Sequence, residues 1–193
     1  MKKILFLISC FILILGINSC DKVKNKVKQK MHIPDYSYKN AKIDDFYYIN
    51  KTVGSSEIIP LIKPFNFIKE GSPEKWDLAT YDIFHELGNV ISPTSFFNVK
   101  NIYIYGYKPF EKDEVDVKFD SPEKWFIINT QEKKIDFFDN ESDFKAKLKK
   151  LNLSEEMLSP DAVYEQYKTD PVLPWFPEDI KKKLEEVKAQ KGE

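Results

Sequence analysis

From Asp44 onward the apolar residues of the chain follow two spacings in turn, and the change marks out the elements. The first spacing is that of strands, in which alternate residues face one side. Phe46-Tyr47-Tyr48-Ile49 is β-prone, and Ile58-Ile59-Pro60-Leu61-Ile62 follows with a proline that suits an edge or a bulge. Phe65 and Phe67 alternate. Phe97 to Tyr107 reads as one strand, with Phe97, Val99, Tyr103, Tyr105 and Tyr107 on one face and Ile102 and Ile104 on the other. Val115, Val117 and Phe119 alternate with Glu114, Asp116 and Lys118 as a half-exposed strand does. Trp125–Ile128 and Ile135–Phe138 flank Gln131-Glu132-Lys133-Lys134 and predict a hairpin.

The period then lengthens to that of helices. Asn140 is placed to cap a helix with Phe144, Leu148 and Leu151 on one face and Asp143 at the capping-box position. Ser159-Pro160-Asp161 starts a second, with Val163 and Tyr167 one turn apart. Pro171, Pro174 and Pro177 punctuate an extended stretch. A last helix from about Pro177 shows Ile180, Leu184 and Val187, and a Lys181–Glu185 pair on its charged face. Strands first and helices last predict an α+β fold: an antiparallel β-sheet built first, with helices at the C-terminal end packed on it. Residues 72–88 fit two patterns. Ser72-Pro73-Glu74 opens a helix well and Gly88 closes one, yet Trp76, Leu78 and Thr80 alternate. The strand reading is favoured because Ser72-Pro73-Glu74-Lys75-Trp76 recurs as Ser121-Pro122-Glu123-Lys124-Trp125, and each copy follows a Lys-Pro-Phe, at Lys63 and at Lys108. Either a duplicated β unit or coincidence in a Lys-rich, aromatic-rich chain accounts for this.

The first residues follow neither period. Met1-Lys2-Lys3 precedes an apolar run from Ile4 to Ile17, then Asn18-Ser19-Cys20. The run is shorter than the about 20 residues a bilayer-spanning helix needs, and its flanks are those of a signal segment. The motif Ile17-Asn18-Ser19-Cys20 resembles the lipobox of the type II signal peptide of bacterial lipoproteins; Ile17 and Ser19 fit it and Asn18 departs from it. The resemblance implies cleavage before Cys20, a diacylglyceryl thioether on its sulfur and an acylated amine. It also implies a place in the cell envelope of a bacterium, anchored by lipid to the inner or outer membrane, with the domain in the periplasm or at the surface. Asp21 occupies the position that in some bacteria retains a lipoprotein at the inner membrane. The chain therefore divides into a signal peptide (1–19), a lipidated Cys with a basic tether (20–40) and one α+β domain (41–193).

Charge is split along these divisions. All 30 basic residues are Lys, six of them at positions 22–39 against Asp21 and Asp35. Residues 41–193 hold the remaining 22 Lys against 29 acidic residues. A basic stretch beside a lipid anchor is drawn to anionic headgroups or serves as a soluble leash. Without Arg the chain lacks the planar fork suited to bidentate phosphate recognition, and no nucleic-acid partner is expected. Cys10 and Cys20 are the only cysteines. Once Cys10 is removed and Cys20 alkylated, the folded part has no thiol for a disulfide, a nucleophile or a metal.

Candidate chemistry is sparse. His85-Glu86 begins like a zincin motif, but Asn89 stands where the second His belongs. His32 falls in the tether. The cluster Asp113, Glu114, Asp116 and Asp120 lacks EF-hand spacing, and Asp77, Asp82 and Glu86 would need a cleft to act as paired carboxyls. No catalytic residue, metal ligand or cofactor is assigned. Tyr103, Tyr105 and Tyr107 form a candidate binding surface, either core or open platform. Trp175 and Phe176, in a stiff proline-rich segment, are either interface anchors or the pins of the last helix.

Lys124–Ile128, Lys133-Lys134, Phe137 or Phe138, Asp143-Phe144 and Leu148 loosely resemble the C-terminal half of small uncharacterised lipoproteins from AT-rich Gram-negative bacteria. That resemblance implies an inhibitor or immunity type of protein and carries over no catalytic residue. The leading expectation is a non-enzymatic, membrane-anchored envelope lipoprotein that binds another, basic protein. The alternative is a small-ligand or glycan-binding module, and the third is a carboxylate-based hydrolase.

Overall fold

The computed structural model describes residues 36–51, 56–70, 75–80, 90–112 and 121–191. The α+β expectation holds, with one addition: the strands form two antiparallel sheets of four. The first is a meander of β1 (Glu57–Pro60), β2 (Asn66–Glu70), β3 (Lys75–Ala79) and β4 (Val90–Ile91). The second is a meander of β5 (Phe96–Lys100), β6 (Tyr103–Lys108), β7 (Lys124–Asn129) and β8 (Lys134–Phe138). The described helices are α1 (Tyr36–Asn40), α2 (Glu141–Lys150), α3 (Pro160–Thr169) and α4 (Glu178–Lys191). None of them is long and apolar enough to cross a membrane.

Ile59, Phe67, Leu78 and Ile91 stand opposite one another across the first sheet, and all four are buried. Phe97, Ile104, Phe126 and Ile128 line the inner face of the second sheet and are also buried. The sheets meet where Phe67 packs edge-on to Phe97, ring centroids 4.7 Å apart. Such a contact contributes about 0.5–1.5 kcal/mol beyond area burial. The same core receives Val163, Tyr164 and Tyr167 of α3 and Leu184 and Val187 of α4. A smaller core lies on the outer face of the second sheet, where Phe144 and Leu148 of α2 meet Tyr105, Ile127 and Leu153. Pro60 ends β1, an edge strand, so the missing N–H costs no ladder bond in a sheet centre.

Both copies of the repeated pentapeptide lead into the third strand of a four-stranded meander, Lys75 opening β3 and Lys124 opening β7. Each tryptophan packs on an aromatic ring of a helix, Trp76 on Tyr164 at 5.4 Å and Trp125 on Phe144 at 4.8 Å. The two Lys-Pro-Phe segments are not equivalent. The first precedes β2, and the second runs on from β6.

Several expectations change. Phe97–Tyr107 is two strands, joined by the two-residue loop Asn101-Ile102 with Asn101 at φ 56°. Asn tolerates this left-handed conformation better than most residues. Across that hairpin odd residues pair with even ones, so Phe97 and Val99 face the inner core while Tyr103, Tyr105 and Tyr107 face outward. Asp45–Tyr47 is a 3-10 turn rather than a strand, because the Asp44 side chain accepts the Phe46 N–H at 3.0 Å. Lys181 pairs with Glu178 at 2.7 Å instead of Glu185. Tyr36–Asn40, at the end of the expected tether, are helical, and Tyr38 is buried.

The helix starts follow the sequence closely. Asn140 Oδ1 accepts the Asp143 N–H at 2.9 Å, and the Asn140 amide donates back to the Asp143 carboxylate at 2.9 Å. Pro160 takes the first turn of α3, where a missing N–H is harmless. Asp161 faces the first sheet instead of capping. It accepts the Trp76 indole N–H at 2.8 Å and Lys69 at 3.1 Å. The Val115–Phe119 strand, the 81–89 segment, the remainder of the tether and the signal segment lie outside the described residues.

Candidate functional site

The outer face of the second sheet carries three cross-strand rows. Register places Phe96, Tyr107, Trp125 and Phe138 side by side in the first row. Asn98, Tyr105, Ile127 and Asp136 form the second, and Lys100, Tyr103, Asn129 and Lys134 the third. Helix α2 covers the middle of this face, because its capped start delivers Phe144 onto Trp125 (4.8 Å, 28°) and Phe138 (5.9 Å). Phe144 thus covers the Trp125–Phe138 side of the first row, which leaves the Phe96 side of that row and a recess at the third row, two regions of different chemistry.

At one end is the aromatic row. Tyr107 lies 4.6 Å from Trp125 and its hydroxyl donates to the exposed Glu123 carboxylate at 2.8 Å. The nearby carboxylate raises the Tyr107 pKa above its ordinary value, through that hydrogen bond first and partial burial second. Phe96, beside Tyr107 in register, is 47% exposed. An aromatic ring left in water next to a built aromatic stack is the kind of feature that marks a docking surface.

At the other end, between α2 and the β7–β8 hairpin, is a recess of about 170 Å³ lined by Tyr103, Asn129, Lys134, Asp136, Lys147 and Leu151 among others. Asn129 Oδ1 accepts the N–H groups of Gln131 and Glu132, which fixes the turn. Asp136 sits between Lys134 at 3.0 Å and Lys147 at 3.3 Å. Burial pushes its carboxyl up, but the two ammoniums outweigh that and hold it below its ordinary value. A general acid or base near neutral pH needs a carboxyl shifted the other way. The Lys147–Asp136 bridge pins α2 to β8, while Lys134 and Asp136 pair within β8.

The residues singled out in the sequence separate here. Tyr105 is fully buried beneath α2, its hydroxyl against the Ser154 backbone without a well-formed hydrogen bond, so it offers no surface. Tyr103 lines the recess and Tyr107 belongs to the aromatic row. Phe176 is buried between Tyr47 and Tyr167. Trp175 is half-buried, packed 5.8 Å from Phe97, and its indole donates to the Pro60 carbonyl at 3.0 Å. Trp175 pins the segment before α4 to the sheets, and Phe176 pins it to the 3-10 turn and α3. Asp77 accepts the Ser92 hydroxyl at 2.6 Å. Asp82, Glu86, His32, His85, the Asp113–Asp120 cluster and Cys20 lie outside the described residues. Among the described residues no group of three or more metal-ligating side chains is assembled.

Phe96 and Lys108 were not singled out in the sequence. Phe96 follows a run of polar residues, and only the hairpin at Asn101 shows that it joins Tyr107. Lys108 is 9% exposed, and its ammonium donates to Ser121 Oγ at 2.6 Å and the Pro122 carbonyl at 3.3 Å. Burial lowers its pKa. No family model, curated protein or solved structure matches the chain.

Proposed function

We propose that the protein is a lipid-anchored protein of the bacterial cell envelope, held through Cys20, whose domain binds another protein at the Phe96 end of the aromatic row. The observation that carries this reading is the 47% exposure of Phe96 in register with Tyr107 and Trp125. Large rings on a rigid sheet lose little conformational freedom on binding and dominate interface energetics. Residues 41–193 carry 22 Lys against 29 acidic residues, and Glu123 stands exposed beside the row, so the partner is a basic protein. An inhibitor or immunity factor against a basic enzyme fits this charge balance.

The test compares the acylated wild-type protein with its Phe96→Asp and Phe137→Asp variants in affinity capture from envelope extract. Phe137 is also exposed, at 39%, but lies on the opposite face of the sheet. A hot-spot ring is worth about 2 kcal/mol or more, roughly thirtyfold in Kd. The wild type and Phe137→Asp are expected to retain the same basic protein, and Phe96→Asp to lose it while remaining folded by circular dichroism. Equal retention by all three overturns the proposal.

The recess supports a second reading, a small-ligand or glycan module. At about 170 Å³ it is below the usual size of drug-like pockets, about 300 Å³ and upward, and suits a group no larger than one sugar ring. Saturable glycan binding abolished by Lys147→Ala, with no captured protein, would favour it.

A further inference from the structure

Lys108 closes β6 and is buried. A lysine so far from water is ordinarily held by a carboxylate. The acidic residues on the neighbouring strand ends are engaged elsewhere. Asp139 pairs with Lys124, which stands opposite Lys108 in the ladder, and Glu111 pairs with Lys75. Glu123 accepts the Tyr107 hydroxyl at 2.8 Å. Among the described residues no carboxylate bonds to Lys108. Its partner is a serine: Lys108 Nζ lies 2.6 Å from Ser121 Oγ, and 3.3 Å from the Pro122 carbonyl oxygen. Both members of the pair are held in place. Ser121 and Glu111 exchange two backbone hydrogen bonds, at 2.8 and 2.9 Å, and Lys75 of β3 fastens Glu111 from the first sheet. The Pro122 carbonyl fixes the Lys108 head from a second side.

A buried amine without a counter-charge gives up its proton more readily, and burial lowers the Lys108 pKa accordingly. Once neutral, the amine accepts a proton, and the atom within reach to give one is the Ser121 hydroxyl. We propose that Lys108 and Ser121 form a serine–lysine acyl-transfer pair, with Ser121 as nucleophile and Lys108 as its general base, acting on an ester with an apolar acyl group. Phe110 adjoins Glu111 in the chain and is 55% exposed, an apolar ring for the acyl group to rest on. Ser121 Oγ bonds to the ester carbonyl carbon while its proton passes to Lys108 Nζ. The carbon–oxygen bond to the alcohol then breaks, and the Lys108 ammonium returns the proton to the departing alkoxide. Water attacks the acyl group left on Ser121, Lys108 takes the water's proton, and that proton goes back to Ser121 Oγ as the acid leaves. The sum is ester and water to acid and alcohol, with no oxidant or reductant. The inference is independent of the lipid anchor and of the Phe96 surface, and its failure leaves both standing.

Two probes test this on the purified full chain: an alkyl fluorophosphonate, whose fluoride is displaced by an activated serine, and p-nitrophenyl butyrate. Peptide mass spectrometry locates the phosphonate. The expected adduct is on Ser121, formed faster as pH rises toward 10.5 and Lys108 loses its proton. Ser154 is the internal control, because its hydroxyl accepts the Glu156 N–H at 3.0 Å rather than facing an amine. A general base contributes about a hundredfold or more in rate, so Lys108→Met should slow the Ser121 adduct by about that factor. Lys108→Arg keeps a cation beside Ser121 but cannot accept a proton. It should be as slow as Lys108→Met, whereas a purely structural lysine would be replaced by it without loss. Release of nitrophenolate from the butyrate ester is expected to continue past one equivalent and to stop in Ser121→Ala. Labelling of Ser121 no faster than Ser154, labelling unchanged in both Lys108 variants, or equal ester turnover by wild type and Ser121→Ala overturns the proposal.

Discussion

Tyr167→Phe should make the protein more stable, against the usual expectation for a substitution in a core. Tyr167 is 2% exposed, and its hydroxyl has no hydrogen-bond partner among the described residues. A buried hydroxyl left unsatisfied costs about 1–3 kcal/mol relative to water. Phe keeps the ring and its edge contact with Phe176 at 6.5 Å, and removes only that cost. The expected gain is about 1 kcal/mol, or about 2–4 °C in Tm for a chain of this size. Urea unfolding followed by tryptophan fluorescence reads the change as a higher midpoint with an unaltered slope.

Tyr164→Phe is the matched control. Its hydroxyl donates to the Asn50 carbonyl at 3.4 Å and faces Glu57, so its removal should cost about 0.5–1.5 kcal/mol. The pH dependence supplies a second readout. Burial holds the Tyr167 phenol well above its ordinary value of 10.0, so it stays protonated in the folded chain when an unfolded tyrosine would ionise. That contribution is complete below about pH 10 and is lost as pH rises above it. The variant should therefore lose less stability than the wild type in strong alkali. Destabilisation by Tyr167→Phe comparable to that of Tyr164→Phe would refute the reasoning, because it would mean that the hydroxyl is bonded.

Three further substitutions test other parts of the account. Gly106→Ala places a Cβ 2.9 Å from Phe126 Cζ and closer still to the Phe96 carbonyl oxygen, which the β5–β6 ladder holds in place, so a loss of about 1–3 kcal/mol is expected in the same urea assay. The Asp161 carboxyl is held below its ordinary value by the Trp76 indole first and Lys69 next, against burial. Its contribution is present above pH 3.8 and lost as pH falls through the lower folded value, so Asp161→Asn should be less stable than wild type at neutral pH and converge with it in acid. Lys108 has the opposite sign: its lowered pKa means the unfolded chain binds more protons, so this group's cost shrinks as pH rises toward 10.5, and Lys108→Met should flatten that rise in thermal melts run at increasing pH up to 10.5.

Much of the C-terminal half was legible because local signals there agree with the packing. Asn140 and Asp143 cap α2, Pro160 opens α3, and the Phe144, Leu148, Val163 and Tyr167 stripes are the faces that the two cores receive. The β7–β8 hairpin was legible for the same reason. The tyrosines were not, because the alternation of Phe97 to Tyr107 runs unbroken through a two-residue loop while the pairing reverses the parity of the faces. Nothing local in a strand tells an open face from one that a helix thirty-odd residues later will cover, and Phe144 is what makes Tyr105 core. Phe46-Tyr47-Tyr48 is β-prone in composition, but one side-chain bond from Asp44 and packing against Phe176 hold it as a turn. The exposure of Phe96 depends on where the chain ends its coverage of the sheet, a tertiary property with no sequence signature.

The proposed anchor comes first, since the proposed envelope partner takes its meaning from it. Intact-mass and N-terminal peptide mass spectrometry of the protein purified from the cells that make it tests the anchor directly. The expected result is a chain beginning at Cys20, with residues 1–19 absent and the mass of a diacylglyceryl group and an amide-linked acyl chain on that residue. A chain that retains Met1–Ser19 and carries a free thiol at Cys20 would contradict it.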